Sequence, residues 1–226
     1  MTSVKEFYDK TPFPGYYTLE QLSSYGDPIE NRYLQIINTQ VSQASTVLDV
    51  GCGTGLISNL LALRNKNTNI VGLDFANSID YAKEFASSNN ITNVTFLKQD
   101  VVKYKIPDKF DIVLCQGVLH HIPEYQQVLP KLLDSVADNG KMILGLYHPV
   151  GKIAKRFLQI NYHSDILYQD QEQNPFELSF TQKQVRAMTP GWKITSAGPS
   201  ILNNILIPAL FNYRSGGLVI YILERI

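Results

Sequence analysis

Cysteine, tryptophan, methionine and histidine are all scarce: the 226 residues hold two, one, three and four of them. Cys52 and Cys115 are too few for an oxidised framework and fit a reducing compartment. The opening "MTSVKEFYDK" lacks the apolar core of a secretory leader, and no apolar run approaches the ~18 residues of a membrane span. Charge of one sign is missing too, since Lys+Arg and Asp+Glu stand at 20 each. A balanced total gives no support to a nucleic-acid or membrane partner. No repeat or low-complexity tract is present. These absences lead to the expectation of one cytoplasmic domain with additions, and 44% hydrophobic content suffices for a sizeable core.

What is present is an alternation. Short apolar runs at 46–51, 69–74, 93–99, 110–116 and 141–147 read as strands. Between them, "LISNLLALRNK", "SIDYAKEFASSNN" and "YQQVLPKLLDSVAD" space apolar residues by three and four, as helices covering a sheet require. Asn77 or Ser78 is placed to cap the second helix, and Asn89-Asn90 to end it. Asp138-Asn139-Gly140 reads as a helix stop, with Gly140 in the left-handed position. The expected fold is therefore α/β, with a parallel sheet covered on both faces. Residues 45–147 and 192–226 form the expected core, and "GGLVIYILERI" is a final strand. Residues 1–43, dense in aromatics, and the irregular polar stretch 148–191 are additions to it.

The first strand ends in "VLDVGCGTG" (47–55). Open parallel sheets bind ligands beyond the carboxyl ends of their strands, and glycines there let a ligand approach the backbone. Asp49 stands beside this turn and would repel a pyrophosphate; it suits an ammonium or sulfonium group. A nicotinamide loop has G-x-G-x-x-G, whereas "GCGTGLIS" has no small residue at the final position. Asp74 ends the second strand about 20 residues beyond the loop, where an acid accepts both hydroxyls of a ribose. Asp100 follows the third strand, where a carboxylate accepts from an exocyclic amine such as that of adenine. Ammonium, diol and amine together describe S-adenosyl-L-methionine.

"VLDVGCGTG", "IVGLDFANSIDYAKEFA", "VTFLKQDVV" and "FDIVLCQGVLHHIPE" resemble the successive motifs of class I S-adenosylmethionine-dependent methyltransferases. They are most similar to the small-molecule group related to ubiquinone and menaquinone biosynthesis enzymes, over about residues 45–147. The resemblance implies a Rossmann-like, doubly wound, seven-stranded and mostly parallel sheet with an antiparallel final strand. It implies an N-terminal helical lid over 1–43, a substrate-cap insertion over 148–191 and closing strands over 192–226. Asp49, Gly51, Gly53 and the backbone of Cys52 or Thr54 would lie under the methionine part of the cofactor. Asp74 would hold the ribose, with Phe75 flanking the adenine, and Asp100 and Val101 would lie near the adenine amine. Gln116 and Gly117 would supply backbone contacts to the methionine portion, and S-adenosyl-L-homocysteine would be the product. Cys52 and Cys115, at the ends of neighbouring strands, are expected to pack without forming a disulfide or a nucleophile.

Methyl transfer from a sulfonium needs alignment and exclusion of water more than chemical machinery. A base matters only where the acceptor holds a proton at neutral pH, and histidine is the natural one. His120, His121 and His148 all fall at strand ends, and one of them is expected to orient or deprotonate the acceptor. Adjacent on an extended segment, His120 and His121 would point to opposite sides, a poor chelate, so no metal site is expected, and one of the two is expected to be a packed or hydrogen-bonded loop residue. A structural role for His148 is an equal alternative. Most N-terminal aromatics are expected to pack. Tyr8, Tyr16 and Tyr17 flank the turn "DKTPFPG" and are candidates to close over a ligand, Tyr16 as a catalytic candidate. Asp165, Asp170 and Glu172 read as a solvated face. The "CQGVLHH" after the fourth strand differs from the Asn-Pro-Pro-aromatic signature of enzymes that methylate nucleic-acid amines, which points to a small organic acceptor. O-, N- and C-methylation stay open, as does the oligomeric state. A protein that binds S-adenosylmethionine without transferring its methyl is the alternative.

Overall fold

The computed structural model describes residues 4–25, 32–149, 176–196 and 218–226. Seven strands form one sheet: β1 (Thr46–Val50), β2 (Asn69–Asp74), β3 (Val94–Lys98), β4 (Phe110–Gln116), β5 (Val136–Tyr147), β6 (Trp192–Ser196) and β7 (Leu218–Arg225). Their order is β3-β2-β1-β4-β5-β7-β6. The first five run parallel, and β7 lies antiparallel between β5 and β6. Strand order reverses between β1 and β4, which places the switch point beside the glycine loop. The helices are α1 (Val4–Lys10), α2 (Leu19–Tyr25), α3 (Arg32–Val41), α4 (Leu56–Arg64), α5 (Ser78–Ser88), α6 (Tyr125–Asp134) and α7 (Gln182–Met188), with a 3-10 turn at Leu119–His121.

The pleat sorts the core into two layers. Val47, Ile112, Leu114 and Ile143 face one side, with Leu34, Ile37 and Val41 of α3 and residues of α4 and α5. Their chain neighbours Leu48, Val113, Cys115 and Leu144 face the other, against Val128 and Leu132 of α6 and Val185 of α7. Both faces are covered, so the parallel strands are nearly continuously apolar. A buried aliphatic side chain there contributes about 1.5–3 kcal/mol relative to exposure.

Two boundary expectations need correction. Residues 138–140 do not stop a helix: α6 ends at Asp134, where the Ser135 N–H donates to the carbonyls of Lys131 and Leu132, and β5 already begins at Val136. Gly140 is strand backbone without the left-handed φ, and it is small because a Cβ there would lie 2.7 Å from the Asp111 carbonyl oxygen. The pairing of β4 with β5 shifts register at this place. Helix α7 lies inside the stretch read as irregular. Its start carries a capping box, in which the Thr181 hydroxyl accepts from the Gln184 N–H and the Gln184 side chain accepts from the Thr181 N–H. Asn89 does end α5, and Asn90 takes a left-handed φ of 55°. Asn77 precedes that helix without a side-chain cap.

The acids Asp165, Asp170 and Glu172, most of the expected insertion, and the Tyr33 side chain lie outside the described residues. Among the described residues, no helix is long and apolar enough to cross a membrane.

Candidate functional site

The glycine loop begins where β1 stops pairing. The Gly51 and Cys52 N–H groups both donate to the Leu73 carbonyl (2.7 and 3.2 Å), which tethers the loop to the end of β2. Gly51, Gly53 and Gly55 all have positive φ, at 73°, 56° and 77°, a region that a side chain disfavours. At Gly53 the need is also spatial. A Cβ there would lie 1.9 Å from the Phe13 carbonyl oxygen, so the N-terminal segment passes directly over the loop.

Two carboxylates converge on this turn. Asp74 is buried and accepts from the Gly53 N–H at Oδ2 and from the Ala76 N–H at Oδ1, each at 2.8 Å. Burial raises its pKa above the ordinary carboxylate value, against the lowering effect of these amides. Asp49 is buried too, and the Ser58 hydroxyl donates to its Oδ2 at 2.5 Å. Burial, opposed by Ser58 and assisted by the charge of Asp74, pushes its pKa up to about 6. Among the described residues, no lysine or arginine forms an ion pair with either acid. Two buried acids without a protein cation, beside a loop that excludes side chains, fit a ligand carrying its own positive charge.

The other residues expected to border a cofactor lie at or just past the ends of β2, β3 and β4. Phe75 is half-buried next to Asp74. Asp100 caps its own turn, accepting from the Val102 N–H at 2.9 Å. Buried Val101 and its neighbour Val102 present carbonyls to Lys131 Nζ, each at 2.8 Å. The Gln116 side chain turns back along the sheet to donate to the Ile143 carbonyl at 2.5 Å, and the Gly117 N–H is engaged by the Gly145 carbonyl at 3.1 Å. Cys52 and Cys115 are buried free thiols, with Cys115 in register with Val50 on the adjacent strand. Burial raises both thiol pKa values, as packing residues require.

The N-terminal segment is pinned over the loop at three places. The Asn77 N–H donates to Asp9 Oδ1 at 2.8 Å, the Thr54 hydroxyl to the Pro14 carbonyl at 3.1 Å, and the Tyr17 hydroxyl to the Thr54 carbonyl at 3.0 Å. Tyr17 is a buried anchor, its oxygen also accepting from Asn59 Nδ2 at 2.9 Å. Tyr16 is 55% exposed and packs at a tilt against Tyr81 of α5, with ring centroids 4.7 Å apart.

A second group forms at the ends of β4 and β5. His120 and His121 lie on the 3-10 turn, not on an extended segment, and their ring centroids are 4.2 Å apart. The expectation that they point to opposite sides therefore fails: three residues per turn bring neighbours onto adjoining faces. His120 is fully buried against Tyr147, at 4.2 Å between centroids, and Tyr8 of α1 meets His121 edge-on at 6.3 Å. Tyr147 and Ser58 were not singled out from the sequence. An aromatic ending a strand and a hydroxyl nine residues after an acid carry too little local pattern to stand out. His148 is half-buried and its pKa is lowered by desolvation, which favours the neutral ring. Among the described residues, no three His, Cys, Asp or Glu side chains are placed to hold a metal ion.

Residues 42–193 match a family model described as a methyltransferase domain. Among curated proteins the chain is similar to an (S)-coclaurine N-methyltransferase of Thalictrum flavum subsp. glaucum, 28% identical over 108 residues, 46% of this chain and 29% of that protein. It is also similar to a ubiquinone biosynthesis O-methyltransferase of Coxiella burnetii, 33% identical over 112 residues, 48% of this chain and 47% of that protein. The matches thus span less than half the length of these two relatives. Among solved structures, a magnesium protoporphyrin IX methyltransferase from Synechocystis PCC 6803 with bound S-adenosylmethionine superposes with a TM-score of 0.62 at 18% identity, covering 99% of this chain and 95% of that one. That likeness establishes the Rossmann-like fold expected from the sequence.

Proposed function

The chain belongs to the family of methyltransferase domains, and we propose from this that it transfers the methyl group of S-adenosyl-L-methionine to a small organic acceptor. The observation that carries the reading is the pair of buried acids, Asp49 and Asp74, at the positive-φ glycine turn, with no protein cation between them among the described residues. A cationic amino-acid nucleoside supplies the missing charge. Its ammonium suits Asp49, and its ribose diol suits the lone pairs that Asp74 retains beyond its backbone amide bonds. Phe75, Asp100 and Val101 then border the adenine, while Gly51, Cys52, Gly53, Gln116 and Gly117 border the methionine part. The Gly117 N–H is already engaged, so contacts from that side come from carbonyls, which match an ammonium.

The cofactor, when bound, supplies an activated methyl on a good leaving group. What the chain adds is alignment and exclusion of water. The strap pinned by Asp9, Thr54 and Tyr17 shields the loop, and the histidine–tyrosine group receives the acceptor. The balanced charge and the aromatic lining favour a small molecule over nucleic acid. Residues 1–43, 45–147, 148–191 and 192–226 act in this reading as lid, cofactor core, acceptor cap and closing strands. Tyr16, exposed between α1 and α2 and packed against Tyr81 of α5, serves at the rim of the lid.

Calorimetric titration with S-adenosylmethionine and with NAD tests the cofactor assignment. Binding of the first and not the second is expected. Asp74→Asn should weaken it by about 10–100-fold, the scale of a charge-assisted hydrogen bond; unchanged affinity would refute the assignment. Appearance of S-adenosylhomocysteine with a panel of phenols and amines distinguishes transfer from mere binding.

A further inference from the structure

His121 is held by more than ring contacts. Its Nδ1 lies 2.9 Å from the carbonyl oxygen of Phe176. A carbonyl can only accept, so the proton of the neutral ring sits on Nδ1 and the lone pair on Nε2. The segment that brings this carbonyl is itself tied down on alternate residues. The Leu178 N–H donates to the His120 carbonyl and the Phe180 N–H to the Tyr147 carbonyl, both at 2.8 Å. The Phe180 ring is buried and meets Tyr125 of α6 edge-on, at 5.2 Å between centroids. Phe176–Phe180 therefore bridges the 3-10 turn and the end of β5, the two places that carry the candidate histidines. Of these, His120 is fully buried, and His148 lies beyond the end of β5.

We propose that Phe176–Phe180 is a positioning strap that sets the tautomer of His121, making its Nε2 the atom that takes the acceptor's proton. The inference rests on the methyl-transfer reading above and deepens it: the acceptor is an alcohol, phenol or amine that still holds a proton when it reacts. The acceptor's oxygen or nitrogen bonds to the methyl carbon as the carbon–sulfur bond breaks, and the electron pair of that bond stays on sulfur. The acceptor's proton passes to Nε2. The imidazolium so formed keeps its Nδ1–H on the Phe176 carbonyl, whose negative end stabilises the new charge, and then releases the proton to water.

The test is nitrogen-15 NMR of histidine-labelled protein at about pH 8, where an unperturbed histidine is neutral. His121 is identified by the signal lost in His121→Gln. The expected result is an Nδ1–H tautomer for His121. An Nε2–H tautomer, or an average of both, would overturn the proposal. Leu178→Pro deletes the N–H donated to the His120 carbonyl; His121 should then report a mixture of tautomers and kcat fall at least about tenfold, with KM for the cofactor within about twofold. An unchanged kcat, or a lowered one with the tautomer unaltered, would refute the strap. If that variant does not fold, Phe180→Ala, which keeps every backbone donor and loosens the anchor on Tyr125, is read by the same two criteria. The tautomer is measured without cofactor or acceptor, so the failure of methyl transfer as a function is seen separately from the failure of the strap.

Discussion

Neutralising Asp49 should make the protein more stable and a poorer binder. The carboxyl is buried, its hydrogen bond from Ser58 is short, and its pKa stands at about 6 instead of the ordinary 3.8. In the unfolded chain the group ionises near 3.8; in the folded one it holds its proton to about 6. Between those values the folded state binds more protons, so stability falls as pH rises through the window and is flat above it. At about 1.36 kcal/mol per pH unit, the cost of the buried charge at neutral pH has an upper bound of about 3 kcal/mol. Asp49→Asn keeps an oxygen for the Ser58 hydroxyl and removes the charge. The variant should gain up to about 3 kcal/mol at pH ~8, or several degrees in Tm, and almost nothing at pH ~4. Urea unfolding at the two pH values measures the difference. Affinity for S-adenosylmethionine should move the other way, by about tenfold or more at pH ~8, because a charged partner of the ammonium is lost. A variant no more stable than the parent at high pH, or equally stabilised at both, would refute the reasoning. So would undiminished affinity.

Three other outcomes follow from the geometry. Gly53→Ala and Gly117→Ala both force a residue into positive φ, costing about 1–2 kcal/mol, but only the first meets the Phe13 carbonyl while the second meets open space. Thermal melts should therefore separate them, with Gly53→Ala the more destabilised and defective in cofactor binding; equal melting would argue against the strap over the loop. Tyr17→Phe leaves Asn59 Nδ2 and the Thr54 carbonyl without their shared partner, and chemical denaturation should register a loss of about 1–3 kcal/mol. Thr181→Ala removes one arm of the capping box and should cost about 1 kcal/mol, with no change in affinity for the cofactor.

Strand positions were readable because each carries a pattern of its own. β2 and β4 fall at the residues expected, since a β-branched or leucine-rich run there ends abruptly in Asp74 or in Gln116-Gly117. Asp49 and Asp74 are candidates by their place relative to the glycines, and the structure brings both, buried, to that turn. β5 was misjudged at its start because Asp138-Asn139-Gly140 is ordinary turn composition, and only the approach of the Asp111 carbonyl explains the glycine. The capping box at Thr181 and Gln184 is a local signal of the start of α7 within an otherwise irregular composition. The histidine pair was misplaced because the backbone of "GVLHHIPE" is set by tertiary bonds: the Leu178 and Phe176 groups that hold it come from more than fifty residues away. Ser58 and Tyr147 join the site through packing of a helix and a strand that no short motif encodes.

The place of β7 bears on how the sheet is assembled. It slots between β5 and β6, both of which precede it in the chain, and it pairs with β5 along seven residues. Until Leu218–Arg225 leaves the ribosome, the outer edge of β5 offers unsatisfied amides and β6 has nothing to join. Nascent chains paused before that point should be the ones that chaperones retain and that self-associate, because closure of the sheet waits on contacts of long sequence separation.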